Sequence, residues 1–492
     1  MNPNFSARLD ALAEEGMAFY RIPGLALAVV HHGQPIHCRG YGQRDAASPE
    51  PVTPRTRFAL CSLTKSFTAA VVGLLVEEGR CAWDSRVIDL LPGFRLADPQ
   101  ATREVTVRDL LLHRAGLARH DWLWHPADLG QGEMMACLAD LAPAHALREC
   151  ADYSNLGYLI AGAIIEQLSG EPWEQAIRRR LLQPLGMTQT GFDITDQAAG
   201  AEQATPHAMD GDTRYRIAPH RMGLPPAGGL VSSIEDLSRW VRCLLDDGCL
   251  EGRSIVPAAV LREMMRPQVW AAPSEQPELG ERFHGLGLWR QHYRGRREVL
   301  HTGSLLGWSS FMALLPDQDL GVAVLCNRNP TPMGPVLAHA AFDALCGLEP
   351  IDWLGRVKPL RADWLRTQQA VDRARRLTDA RARTSGRALA AFAGRYDHPA
   401  YRTMTITVHQ GVLHWSWRGL NASLQPCGVD AFRLPGQPDR VFPDYLVLNF
   451  HAEPDGCIEQ LTVALEPKVP DIVFHRTCAD ARRESQEGKN AS

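Results

Sequence analysis

Strand-like segments bracket a long helical stretch in the first 350 residues, and this bracketing constrains the fold more than any other feature. Near the start, Ile22-Pro23-Gly24 leads into LALAVVHH, Gly33-Gln34 turns the chain, and PIHCRGYG returns, which predicts a hairpin over residues 22–46. A comparable run of strand patterns comes back only at 284–291, 297–302, 309–315 and 320–326, with Pro316-Asp317-Gln318-Asp319 as the turn between the last two. Between these ends the texture is helical. Residues 62–79 have a polar start (Ser62, Thr64), an apolar body (FTAAVVGLLV) and a stop at Gly79, as a buried helix requires. Residues 105–265 read as mainly helical, with apolar helices at 155–168 and 234–246. One sheet assembled from both chain ends, with helices between, is a mixed α/β domain of about 350 residues.

At 492 residues the chain is too long for that domain alone. Residues 356–388 carry Arg373, Arg375, Arg376, Arg381, Arg383 and Arg387, read as a solvated linker helix rather than a dock for an acidic partner. From 389 the texture is all-β: MTITVHQGVLHWSWRG has a hairpin-like Gln410-Gly411 turn, and further short strands follow. They carry Trp415, Trp417, Phe432, Tyr445 and Phe450, most of them expected to fill the core of a small antiparallel barrel or sandwich. The expected boundaries are 1–355, 356–388, 389–478 and a disordered tail at 479–492.

Composition excludes several function classes. The net charge of -4 argues against a general nucleic-acid binder. No apolar run reaches the ~18 residues of a membrane span. The opening MNPNFSARLDALAEEG has no apolar signal-peptide core, so the expected location is cytoplasmic. The 12 cysteines form no C-x-x-C pair and there is no H-E-x-x-H, so no metal or other cofactor is implied. The cysteines, Cys61 included, read as reduced core residues. Basic residues are more telling. Of 52, only Lys65, Lys358, Lys468 and Lys489 are lysine. Lys65 therefore stands alone in the first 357 residues. Arginine holds its proton at every accessible pH, whereas a desolvated lysine can release it, so a lone lysine hints at a site that needs a base.

Three short motifs carry chemistry. In Ser62-Leu63-Thr64-Lys65 the i and i+3 positions share a helix face. Ser62 falls at the helix N-terminus, where backbone N–H groups favour a developing anion, and Lys65 lies one turn below its hydroxyl as the base that a weak nucleophile needs. Tyr153-Ser154-Asn155 opens the helix NLGYLIAGAII. A tyrosinate near a cation can take the serine proton and return it to the leaving group, while Asn155 can donate to a substrate carbonyl and contact Lys65. His301-Thr302-Gly303-Ser304 ends a strand. There Gly303 is expected to clear the strand edge for a ligand, and the Ser304 N–H can pair with that of Ser62 as an oxyanion hole.

Together, in this order and local structure, the motifs resemble the serine beta-lactamase and penicillin-binding-protein superfamily, in the branch with class C beta-lactamases, D-aminopeptidases and related esterases. The stretches LLLHRAGL at 110–117, RLLQPLGMTQTGF at 180–192 and PPAGGLVSSIEDLSRW at 225–240 match too. The resemblance spans roughly 15–350. It implies a beta-lactamase/transpeptidase-like α/β fold, an antiparallel sheet flanked by helices plus a helical subdomain. Ser62 is then the nucleophile, Lys65 and Tyr153 the base system, and Asn155, His301, Gly303 and Ser304 substrate-binding residues. True beta-lactamases have Lys-Thr-Gly where this chain has His301-Thr302-Gly303. A histidine is mostly neutral near pH 7 yet titrates just below it, which argues against capture of an antibiotic carboxylate and for a peptidase or esterase. The β-texture at the C-terminal end, with FAGRY at 392–396, resembles the lipocalin-like domains attached to some D-peptidases of this superfamily.

The leading expectation is a hydrolase that forms a Ser62 acyl-enzyme on small peptides or amides, D-configured, or on esters. The alternative is a penicillin-binding-protein-type thioesterase or acyltransferase that cyclises a peptide or passes it to an amine or alcohol, with a carrier-protein-bound substrate. A non-catalytic sensor is disfavoured by the intact Ser62, Lys65 and Tyr153. The partner expected is a small-molecule or peptide substrate, with a homo-oligomer compatible and neither nucleic acid nor membrane.

Overall fold

The computed structural model describes residues 4–196, 202–211, 213–274, 276–381, 386–435 and 446–477. They divide into two compact units. The first comprises Met1–Phe94, Asp98–Leu117 and His145–Arg361; the second comprises Arg95–Ala97, Ala118–Ala144 and Ala362–Ser492.

The first unit is built on an eight-stranded antiparallel sheet. Its strands are β1 (Gly24–His31), β2 (Gln34–Gly42), β3 (Val269–Ala272), β4 (Arg282–His284), β5 (Trp289–Tyr293), β6 (Arg296–Leu305), β7 (Trp308–Leu315) and β8 (Leu320–Cys326), in the order β2-β1-β8-β7-β6-β5-β4-β3. The first hairpin joins the last strand directly, with Leu25 opposite Cys326 and His31 opposite Leu320. The continuous apolar run of β1 follows from burial on both faces. Leu25, Leu27 and Val29 meet helices α1 (Phe5–Tyr20) and α5 (Met333–Leu345) in one core cluster. The opposite face takes the amphipathic helix α4 (Ile234–Leu245), whose N-cap Ser233 accepts the Asp236 N–H. Helices α2 (Thr64–Glu77) and α3 (Leu156–Ser169), both mostly buried, pack against each other.

Two expectations need correction. The strand predicted over 284–291 is broken into β4 and β5. Gly287 turns there with φ +72, and a Cβ on it would lie 2.6 Å from the Lys65 carbonyl oxygen, so the chain must leave the sheet to rest on α2. The stretch 105–265, expected to be mainly helical, is less so than expected. It contains short antiparallel pairs, His207–Asp210 with Thr213–Arg216 and Cys249–Leu250 with Arg253–Ser254, whose two to four residues are too few to show a period of two.

The second unit is a nine-stranded antiparallel sheet. Its strands are β9 (Gly394–His398), β10 (Arg402–His409), β11 (Val412–Trp417), β12 (Leu420–Ser423), β13 (Gln425–Gly428), β14 (Ala431–Arg433), β15 (Val447–Ala452), β16 (Ile458–Val463) and β17 (Ile472–Arg476). The order is β12-β11-β10-β9-β17-β16-β15-β14-β13. The two edge strands, β12 and β13, are joined through Leu424 alone, so the sheet must curl until its edges meet, giving a nearly closed barrel. Trp415, Trp417, Phe432 and Phe450 are buried in it, as alternation demands, while Tyr445 lies outside the described residues. The linker region is helical as α6 (Trp353–Arg381), and Arg387 beyond it binds Asp430 and the Gly456 carbonyl. The side chains of Arg375, Arg376 and Arg381, all of Arg383, and residues 479–492 lie outside the described residues. No helix among the described residues is long and apolar enough to cross a membrane.

Ala118–Ala144 packs with the barrel. The Glu466 carboxylate accepts the His120 N–H at 2.8 Å, and His120 Nδ1 lies 2.7 Å from the Tyr401 hydroxyl. Arg418 pairs with Asp128 and donates to the carbonyls of Trp122 (2.7 Å) and Pro126 (3.0 Å). Arg418→Ala would remove its two hydrogen bonds to these carbonyls along with the Asp128 pair. It is expected to cost about 2–4 kcal/mol and to raise amide exchange within 118–144 specifically. Exchange confined to other segments would contradict this role.

Candidate active site

The turn carrying Ser62 is a short 3-10 helix, Cys61–Leu63, that runs straight into α2. Cys61 sits in the left-handed region at φ +48, a strained conformation for a residue with a Cβ. Its surroundings hold it: Leu60 N–H donates to the Leu230 carbonyl at 2.8 Å, and Thr64 Oγ1 accepts the Leu230 N–H at 3.1 Å. The Cys61 thiol is pushed up to about 12 by burial, so it packs rather than reacts.

Lys65 is fully buried, and its amine reaches oxygens from three places. Nζ lies 3.1 Å from Ser62 Oγ, 2.8 Å from Asn155 Oδ1 and 2.8 Å from the Ala227 carbonyl. The last two can only accept, so two N–H groups are committed to them. The position directed at Ser62 can then carry either an N–H or the lone pair. On the other side of Ser62, the Tyr153 hydroxyl lies 2.9 Å from Oγ. Lys65 Nζ is 5.0 Å from the centre of the Tyr153 ring, close enough to favour negative charge on that phenol. Asn155 begins α3 with its carbonyl taken by the Tyr158 and Leu159 N–H groups. With Oδ1 on Lys65, its Nδ2 remains the amide donor a substrate carbonyl would use.

β6 brings the third motif. Gly303, expected to clear the strand edge for a ligand, clears it for the protein itself. A Cβ there would lie 2.6 Å from the Leu60 carbonyl oxygen and 2.9 Å from Cys61 Cβ. The strand therefore rests, one residue before Ser304, on the turn carrying Ser62. The Ser304 side chain bonds Asn329 Oδ1 at 3.0 Å.

His301 departs from the expectation that it titrates near neutrality. It is buried with its ring stacked on Trp289, centres 4.6 Å apart and planes 18° apart. Burial first, and the Lys65 charge second, lower its pKa to about 3. Nδ1 lies 2.6 Å from the Thr302 carbonyl, an obligate acceptor, so Nδ1 carries the proton and Nε2 presents a lone pair. Three residues not assigned a role from the sequence complete the surround. Trp289 lies 6.4 Å from Tyr153, centre to centre. His284 is held at about 4 by burial and by Arg282. His113, within the noted LLLHRAGL stretch, is held well below 6.5 by burial, then by His284 and Lys65. Among these groups, the arrangement keeps three imidazoles neutral beside one buried lysine, and can move a proton on and off Ser62 Oγ.

The beta-lactamase family model matches residues 9–345, and the chain belongs to that family. An unguisins hydrolase of Aspergillus violaceofuscus is 29% identical over 385 residues, 73% of this chain but only 66% of that relative's own length. Penicillin-binding protein 4 of Amycolatopsis lactamdurans is 31% identical over 341 residues, 66% of this chain and 84% of the relative. Among solved structures, the octameric penicillin-binding protein homologue from Pyrococcus abyssi superposes with a TM-score of 0.63 at 22% identity, covering 95% of this chain and 99% of that one. At that identity it speaks for the fold, both units included: a beta-lactamase/transpeptidase-like domain followed by a small β-barrel.

Because the three histidines are neutral when folded and titrate at about 6.5 when unfolded, the unfolded chain binds more protons below that pH. Their contribution to stability is complete above about pH 6.5 and is lost as pH falls toward 4. The urea midpoint is expected to drop between pH 7 and pH 5, and less steeply in His284→Gln. The rate profile should have no limb near pH 6.5 that vanishes in His301→Gln; such a limb would mean that His301 titrates normally.

Proposed function

We propose that this family member, a serine hydrolase by descent, opens small amides or peptides, D-configured, or esters through a Ser62 acyl-enzyme. One observation carries the reading: Ser62 Oγ is held between Lys65 Nζ at 3.1 Å and the Tyr153 hydroxyl at 2.9 Å. Ser62 Oγ adds to the substrate carbonyl as its proton passes to the Lys65–Tyr153 pair. The oxyanion is met by the Ser62 and Ser304 N–H groups. As the acyl C–N or C–O bond breaks, Tyr153 returns the proton to the leaving amine or alcohol. A water then repeats the addition, giving its proton to the same pair, and the free acid leaves with Ser62 restored.

The neutral His301 supports the substrate class. Where a lysine would fix a positive charge, this strand offers an imidazole lone pair, so a substrate carboxylate gains nothing there. Hydrolysis is favoured over transfer because the fungal relative is described as a hydrolase. The D-preference follows from the family resemblance of the three motifs.

With a p-nitrophenyl ester and paired D- and L-aminoacyl amides as substrates, Ser62→Ala is expected to lose at least about a thousandfold in kcat. Lys65→Arg should lose nearly as much, because arginine keeps the charge but cannot be the base. A fluorophosphonate should add to Ser62 and nowhere else by peptide mass. His301→Lys should lower KM for substrates bearing a free carboxylate. Wild-type turnover in Ser62→Ala would overturn the reading, and faster release to an added amine than to water would replace hydrolysis with transfer.

A further inference from the structure

The LLLHRAGL stretch has no part in the chemistry above, yet its histidine touches Tyr153 and both of its chain neighbours. The His113 carbonyl accepts the Asp152 N–H at 2.8 Å. Its Nδ1 lies 3.2 Å from the Ser154 N and 3.1 Å from the Ser154 carbonyl oxygen. One residue thus holds the chain immediately before and immediately after Tyr153. Its ring also covers that phenol, with centres 4.3 Å apart and planes 33° apart.

We infer that His113 is the positioning residue for Tyr153: its hydrogen bonds to residues 152 and 154 and its ring contact hold the phenol oxygen within reach of Ser62 Oγ. The inference rests on Tyr153 being the proton carrier proposed above.

Several features set this apart from ordinary packing. His113 occupies the left-handed region at φ +59, unfavourable for a residue with a Cβ and upheld only where the surroundings over-determine it. Its own N–H is spent on the Leu110 carbonyl, and the next residue is tied back by Arg114 N–H to the Asp109 carbonyl at 2.8 Å. Asp109 in turn caps its helix and binds Arg148. The loop that presents His113 is therefore fixed independently of Tyr153. The grip also survives either tautomer. With the proton on Nδ1, His113 donates to the Ser154 carbonyl; with the proton on Nε2, Nδ1 accepts the Ser154 N–H. Behind it the ring meets Tyr158 at 5.6 Å and His284 at 5.3 Å, which leaves little room to swing away.

Two substitutions separate the hydrogen bond from the ring. His113→Asn keeps a polar atom near the position of Nδ1 and removes the ring. His113→Phe keeps the ring and removes the polar atom. His113→Gln moves the polar atoms one bond outward at similar volume, and stands in for the Phe variant if that one does not fold. With Tyr153 oxygen displaced by about 1 Å, kcat should fall roughly 10- to 100-fold in the Phe and Gln variants. KM should stay within about threefold, since ground-state binding is untouched. His113→Asn is expected to recover to within about fivefold of wild-type kcat. Fluorophosphonate labelling of Ser62 should slow in the same order. A folded Phe or Gln variant with wild-type kcat would overturn the inference. So would an Asn variant as impaired as they are, because the bond to residue 154 would then be irrelevant. Tyr153→Phe, measured alongside, keeps the two readings apart: if it retains wild-type kcat, the proton-carrier reading fails whatever His113 does.

Discussion

The candidate site is organised around the need to satisfy one buried amine. Taking the Lys65 head group out of water is costly unless its hydrogen-bonding capacity is met inside the protein. It is met by the Ser62 hydroxyl one helical turn away, by the Asn155 side chain and by the Ala227 carbonyl. Those last two lie 90 and 162 residues along the chain. Both segments must close on α2 for the lysine to be buried at all, so the packing of α3 and of the Pro225–Gly228 segment against α2 is tied to the geometry around Ser62. Thr68 reinforces the same closure by donating to the Pro226 carbonyl.

Around that amine the protein surrounds Tyr153 with aromatic and imidazole rings rather than with further charge. His113, Trp289 and His301 all lie within 6.4 Å of the Tyr153 ring centre, and His284 bridges His113 and Trp289. Burial lowers all three histidines, and the lysine lowers His113 and His301 further. The lysine and the imidazoles thus reinforce a single charge state: protonating His113 or His301 would place a second cation beside the first in a low-dielectric setting. The substitution of histidine for lysine in the third motif belongs to this pattern. It replaces a fixed charge on the sheet with a flat ring that stacks on Trp289.

The second unit meets a different constraint. A sheet of nine short strands has two edges to protect, and joining β12 to β13 through Leu424 brings those edges together. The same unit takes in Ala118–Ala144, a piece of the chain that lies between segments of the first unit in sequence. The ring contact between Trp122 and Trp417 and the buried guanidinium of Arg418 are the physical reason it belongs there.

Much of this was written into the sequence by itself. The i, i+3 pairing of Ser62 with the lone lysine of the first 357 residues, the apolar body of α2, the opening hairpin, the three strands ending at Cys326 and the alternating barrel strands are all local patterns, and local patterns dictate which face of its own element a side chain takes. What they cannot carry is which residue waits on the other side. The Ala227 carbonyl that anchors Lys65 is a backbone atom and leaves no mark in the sequence. Gly287 looks like an ordinary interruption of a strand until α2 is seen beneath it. His113 looks like one polar residue in a leucine-rich stretch, and His301 like an ordinary titrating imidazole. Only packing decided that one grips the Tyr153 segment and that the other, desolvated beside Lys65 and stacked on Trp289, stays neutral, because desolvation and hydrogen-bond reach depend on neighbours that only folding brings within a few ångströms.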